Sequence, residues 1–178
     1  MKFLETCING VWLIQPSIYV DDRGYFFESF SDKEFKENIG DITFVQDNQS
    51  KSSYGVIRGL HFQKGEYAQS KLIRCVKGII LDVAVDLREG SPTYGKHVSA
   101  ILSEDNHQQL FVPRGFAHGF SVLTTEAIVQ YKCDNFYNKE SEGGVNPFDK
   151  DLNIEWMIPK DKVILSEKDL QWEKLSMI

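Results

Sequence analysis

Residues 79–87 read Ile79-Ile80-Leu81-Asp82-Val83-Ala84-Val85-Asp86-Leu87, with every odd position apolar and Asp82, Ala84 and Asp86 among the even ones. Successive side chains of a strand point to opposite faces, so this alternation predicts a strand with one packed face and one that is polar or lines something. The same period extends outward in both directions. Upstream it marks strands over 70–76, 56–63, 44–50, 25–30, 18–20 and 11–14; downstream, over 97–103, 110–112, 116–123 and 127–134. Ser31-Asp32-Lys33-Glu34 is a capping box that predicts one short helix ending near Gly40. Ser166-Glu167-Lys168-Asp169 predicts a closing helix to about residue 175, and Glu142-Gly143-Gly144 reads as a loop. About ten short strands at roughly ten-residue spacing, with no βαβ alternation, predict an all-β antiparallel jelly roll. It should form one domain over residues 1–178, with a few short helices, one of them near the C-terminus.

Composition narrows the function classes. The 178 residues are 42% hydrophobic, enough for a sizeable core, and the net charge is −6. With no long run of either sign, nucleic acid and anionic membranes are poor partners, and an anionic substrate must be held by a few local Arg and Lys side chains. Three widely spaced cysteines, Cys7, Cys75 and Cys133, fit reduced thiols in a cytosolic protein rather than a disulfide framework or a zinc site. The apolar run at 11–14 is too short for a signal segment or a membrane span, so a cytoplasmic location is expected.

The densest polar chemistry lies in residues 58–71, RGLHFQKGEYAQSK, between two apolar strand-like runs. A strand serving only a core has no need of a guanidinium, an imidazole, two amides and an ammonium so close together. His61 and Lys71 read as two halves of a proton-abstraction site. Pro113-x-Gly115-x-x-His118 resembles half of the metal signature of cupin jelly rolls. The matching hairpin offers only His61-Phe62-Gln63 with Glu66 in range, short of the three or four N/O ligands a transition metal wants, and Lys71 adds a cation. The expectation is organic acid/base chemistry without a metal. A metal-dependent cupin enzyme and a non-catalytic sugar-binding cupin are the alternatives of other classes.

The chain resembles the dTDP-4-dehydrorhamnose 3,5-epimerase family. The resemblance runs through Asp22-Arg23-Gly24-Tyr25-Phe26-Phe27-Glu28, Gln46-Asp47-Asn48-x-Ser50, Ile57-Arg58-Gly59-Leu60-His61-Phe62-Gln63 and Gln69-Ser70-Lys71-Leu72. It continues in Pro113-x-Gly115-Phe116-Ala117-His118-Gly119-Phe120, Tyr131-Lys132-Cys133 and Leu165-Ser166-Glu167-Lys168-Asp169. It implies inversion at C3 and C5 of a 4-keto-6-deoxy sugar nucleotide by a homodimer that needs no metal or organic cofactor. His61 would be the base, held by Asp169; Lys71 would stabilise the enolate oxygen, and Tyr131 would be the acid, with Tyr137 the rival for that role. Arg23, Phe26, Glu28, Gln46, Asn48, Arg58 and Tyr137 would hold the nucleotide and diphosphate, some of them from a partner subunit. His118 would be a ligand-facing donor or a structural remnant of the cupin signature. C3-only epimerisation and a GDP-linked 4-keto heptose stay open as variants, the more so because Asn146-Pro147-Phe148 departs from the pattern expected there.

These residue types suit the reaction. A proton beside a ketone is weakly acidic; histidine, with an ordinary pKa of about 6.5, is a suitable base, and a carboxylate on its other nitrogen fixes the tautomer. A Lys charge stabilises the enolate oxygen, while inversion needs a second group on the opposite face. The planar Arg fork matches phosphate oxygens, and the Gly beside Arg23 and the one beside Arg58 are expected to let backbone and ligand approach. Arg88, Asp82 and Asp86 read as internal ion pairs, and Asp169 also fits as the end of a capping box.

Overall fold

A computed structural model describes residues 1–178. The strands are β1 (Lys2–Glu5), β2 (Trp12–Gln15), β3 (Tyr19–Asp21), β4 (Gly24–Phe26), β5 (Gln46–Ser53), β6 (Ile57–Gln63) and β7 (Lys71–Lys77). They continue as β8 (Ile79–Asp86), β9 (His97–Ser103), β10 (Gln109–Val112), β11 (Phe116–Val122), β12 (Glu126–Cys133) and β13 (Glu142–Gly144). One antiparallel sheet runs β1-β2-β10-β7-β12-β5 and a second runs β13-β6-β11-β8-β9, while β3 and β4 form a separate hairpin. This is the expected jelly roll. No helix is long and apolar enough to cross a membrane.

The alternation in β8 has a structural cause. Ile80 and Ala84 pack between the two sheets with Ile73, Cys75, Ala127 and Val129. Leu81, Val83 and Val85 face the other way, under a layer formed by Val145, Leu152 and Trp156. Both faces are therefore buried, and Asp82 and Asp86 are fully enclosed. Asp86 accepts from Arg88 Nε and Nη2, Ser91 Oγ and Thr93 Oγ1 at 2.9, 2.7, 2.7 and 2.6 Å. Arg88 and Asp86 thus form an internal ion pair, whereas Asp82 pairs with His118 instead.

The helix α1 (Asp32–Asn38) starts where the capping box places it, with Ser31 Oγ accepting from the Glu34 N–H at 3.4 Å. Phe35 anchors it in an aromatic cluster with Phe3, Phe30, Phe44 and Phe111 on the outer face of the first sheet. Two expectations need correction. The closing helix is only a one-turn 3₁₀ segment at Asp169–Gln171, because the chain turns extended at Trp172 and lays the indole against Gly144. Glu142–Gly144 is a strand, not a loop, and pairs with β6 so that Gly144 lies opposite His61.

Candidate active site

Between the two sheets opens a cleft of about 280 Å³ lined by Gln46, Asn48, His61, Phe62, Gln63, Gln69, Lys71, Tyr131, Tyr137 and Glu142. Strand register explains its polar wall. Tyr131 lies opposite Asn48 on one side and Ile73 on the other; Cys133 lies opposite Gln46 and Lys71. Gln46, Asn48, Lys71 and Tyr131 therefore share one face of the first sheet, in line with buried Ile73 and Val129. His61 reaches the same cleft from the facing sheet.

His61 Nε2 lies 2.5 Å from Asp169 Oδ1, across 108 residues of sequence. Asp169 is buried, its backbone N–H donates to Ser166 Oγ at 3.1 Å, and Trp172 Nε1 donates to the same Oδ1 at 3.3 Å. Burial alone would raise the Asp169 pKa; the His61 contact, helped by the Ser166 and Trp172 bonds, outweighs it and holds the carboxyl below its ordinary value. Asp169 therefore combines the capping geometry with contact to His61.

Lys71 makes no ion pair, and burial lowers its pKa, opposed by Cys133, Asp82 and Glu142. It can present the cleft with a desolvated donor that no carboxylate neutralises directly. Burial, then the Cys133 thiol, raises the pKa of Tyr131, with Arg58 opposing. The hydroxyl is thereby kept protonated. Cys133, its own pKa pushed up to about 11 chiefly by burial, is a thiol that accepts from Asn48 Nδ2 at 3.7 Å.

The expected binding residues divide in two. Gln46, Asn48 and Tyr137 are linked at the mouth of the cleft: Gln46 Nε2 donates to Asn48 Oδ1 at 3.0 Å, and the Tyr137 N–H donates to Gln46 Oε1 at 3.3 Å. Arg58 lies in an adjoining depression with His61 and Asp169, and its Nε donates to Ser52 Oγ at 2.9 Å. Arg23, Phe26 and Glu28 line no part of this cleft. They belong to the β3–β4 hairpin and the residues after it, where Arg23 pairs with Asp21 and Phe26 is 70% exposed.

His118 is not at the cleft surface either. It is buried beside Asp82, with Nε2 2.8 Å from Oδ1, so its ring is occupied internally. The glycine beside Arg58 also has a different task from the expected one. A Cβ on Gly59 would come within 2.6 Å of Gly119 Cα, so this glycine admits a neighbouring strand rather than a ligand. Two residues of the cleft and one behind it have no role in the sequence reading. Glu142 accepts from Tyr137 Oη at 3.0 Å and pairs with Lys168, Gln69 Nε2 donates to Asn135 O at 2.8 Å, and Trp172 reaches Asp169. Nothing in the local sequence distinguishes Glu142 or Trp172; a lone acid before two glycines looks like a turn.

A jelly roll that brings a histidine, a lysine and a tyrosine to one cleft has the build of a cupin-type acid/base enzyme. The family model described as dTDP-4-dehydrorhamnose 3,5-epimerase matches residues 5–177. The chain belongs to this family of isomerases. It is 50% identical to the dTDP-4-dehydrorhamnose 3,5-epimerase of Shigella flexneri over 175 residues, covering 98% of this chain and 96% of that protein. To the enzyme of the same name from Methanothermobacter thermautotrophicus it is 47% identical, covering 98% and 94%. Among solved structures, the Elizabethkingia anophelis dTDP-4-dehydrorhamnose 3,5-epimerase superposes with a TM-score of 0.96 at 52% identity, covering 99% of this chain and 97% of that one. The dTDP-6-deoxy-D-glucose-3,5-epimerase of Legionella pneumophila, solved with dTDP-4-keto-L-rhamnose, gives a TM-score of 0.96 at 44% identity, covering 99% and 94%.

Proposed function

We propose that this protein epimerises C3 and C5 of dTDP-4-dehydro-6-deoxy-D-glucose, giving dTDP-4-dehydro-L-rhamnose. The observation that carries the reading is the convergence of His61, Lys71 and Tyr131 on one cleft from two facing sheets, with Asp169 2.5 Å behind His61. His61 removes the proton next to the C4 ketone, and Asp169 stabilises the imidazolium that forms. Lys71 donates to the enolate oxygen, an interaction worth roughly 3–4 kcal/mol in comparable sites. Tyr131 returns a proton to the opposite face of the same carbon. Each inversion leaves a protonated His61 and a deprotonated Tyr131; exchange with solvent resets both before the second carbon reacts.

Gln46, Asn48, Tyr137 and Arg58 bind the nucleotide and its diphosphate from within the chain. Arg23, Phe26 and Glu28 act in the cleft of a second copy, which makes the working unit a homodimer of single-domain subunits. The support for this is their placement: three ligand-binding residue types exposed on the hairpin and just after it, outside their own cleft. Three free cysteines accord with a cytoplasmic setting.

The test is incubation with dTDP-4-dehydro-6-deoxy-D-glucose in D₂O, following deuterium entry by NMR. Entry at C3 and C5 is expected. Entry at C3 alone makes the protein a 3-epimerase, and no entry rejects the substrate.

A further inference from the structure

We propose that Trp172 is a positioning residue for the reaction, setting the charge and orientation of the His61–Asp169 pair through its indole N–H. The inference rests on the reading of His61 as the base. Trp172 Nε1 donates at 3.3 Å to Asp169 Oδ1, the same oxygen that meets His61 Nε2 at 2.5 Å. Its ring also stands edge-on to the His61 imidazole, with centroids 6.0 Å apart and planes at 69°. One side chain thus touches both members of the pair while lining no part of the cleft.

The backbone is built to admit it. Gly144 lies opposite His61 in the β13–β6 ladder, and a Cβ there would fall 2.2 Å from the indole Cδ2. The indole occupies the space any other residue at 144 would need, so the glycine and the tryptophan form one device. Lys168 Nζ lies 5.7 Å from the indole centroid and pairs with Glu142, closing the outer side.

The electrostatic consequence has a definite sign. A donor on Oδ1 withdraws negative charge from the carboxylate and weakens its hold on an imidazolium. Removing that donor while keeping the ring strengthens the hold, so a higher pH is needed to free the base. The other charged and titratable groups around His61 are Lys168, Glu142, Lys71, Tyr131, Tyr137 and Arg58. Trp172→Phe changes the charge of none of them and keeps a π face under Lys168.

The experiment is the pH profile of kcat/KM for Trp172→Phe and Gly144→Ala, with His61→Ala as reference. In Trp172→Phe the acid limb should move up by roughly half a unit. Its plateau kcat should fall about fivefold to thirtyfold, with KM unchanged. Gly144→Ala should move the limb the same way by displacing the indole. A lowered kcat with an unmoved limb in both variants overturns the proposal, because loss of packing alone gives that result. An active His61→Ala instead overturns the reading of the base, whatever the other variants do.

Discussion

Two histidine–aspartate pairs stand side by side in this protein, with His61 and His118 directly opposite each other in the β6–β11 ladder. Their contacts are similar, 2.5 Å for His61–Asp169 and 2.8 Å for His118–Asp82. Their settings differ. The His61 side chain keeps 32% of its surface open toward the cleft, whereas that of His118 keeps 8% and Asp82 none. The carboxylates also shift in opposite directions. Burial raises the pKa of Asp82 despite His118 and Lys71, while Asp169 lies below its ordinary value because His61, Ser166 and Trp172 overcome its burial. The same residue pair can therefore stand open to a cleft, as the proposed base does, or be sealed in as a structural link, and access together with the number of donors separates the two.

The largest expected effect breaks the symmetry outright. His61→Ala should cut deuterium exchange at both carbons by about 10³-fold or more while dTDP binding, read by calorimetry, stays nearly intact. His118→Ala should act on folding instead. It leaves Asp82, whose Oδ2 is already buried without a partner, with no donor at all. Removing one member of such a buried pair costs roughly 3–5 kcal/mol, visible in urea denaturation, with exchange per folded molecule within about tenfold of wild type. Equal losses of exchange in both variants would erase the proposed distinction.

One step down is the carboxylate behind the base. Asp169→Asn keeps the shape but can hold the imidazole in the wrong tautomer, so kcat should drop by about 10²–10⁴-fold with little change in KM. A variant with near-normal kcat would reduce Asp169 to a capping residue.

The difference between the pairs was only partly legible in the sequence. His61 stood out because Arg58, Gln63 and Lys71 surround it in one short stretch, and period-two parity put Lys71 and Tyr131 on inward faces. Parity also flagged the even side of 79–87, but could not say that Asp82 would be sealed in by His118, since that depends on cross-strand register. The end of the chain was less readable. Ser166 does meet the Asp169 N–H as a helix cap would, yet burial of Trp172 against Gly144 stops the helix after one turn. Short β13 carries two glycines and no alternation, so it had no strand signal, although it supplies Glu142 and the Trp172 seat. The β3–β4 hairpin was recognisable as extended chain with a turn, but that it pairs with neither large sheet is set by long-range packing, which leaves no trace in local sequence.

The smallest expected effect is on stability against pH, and it separates the two aspartates by sign. For Asp169, whose pKa is lowered on folding, stabilisation is fully present above the unfolded carboxyl value of about 4 and is lost as pH falls through the lower folded value. Asp169→Asn should therefore be destabilised by about 1 kcal/mol at pH 7, and the gap should close as pH falls toward about 3. For Asp82, whose pKa is raised on folding, the contribution is favourable only at low pH and is lost as pH rises through the folded value. Asp82→Asn keeps an oxygen to accept from His118 while removing the buried charge, so at pH 7 it should be as stable as wild type or gain about 1 kcal/mol. That gain should shrink on acidification. Urea denaturation of both variants from pH 3 to 8 reads the two slopes directly. Parallel slopes would mean that the two carboxylates feel the same environment, and the contrast between an open, well-donated pair and a sealed one would have to be given up.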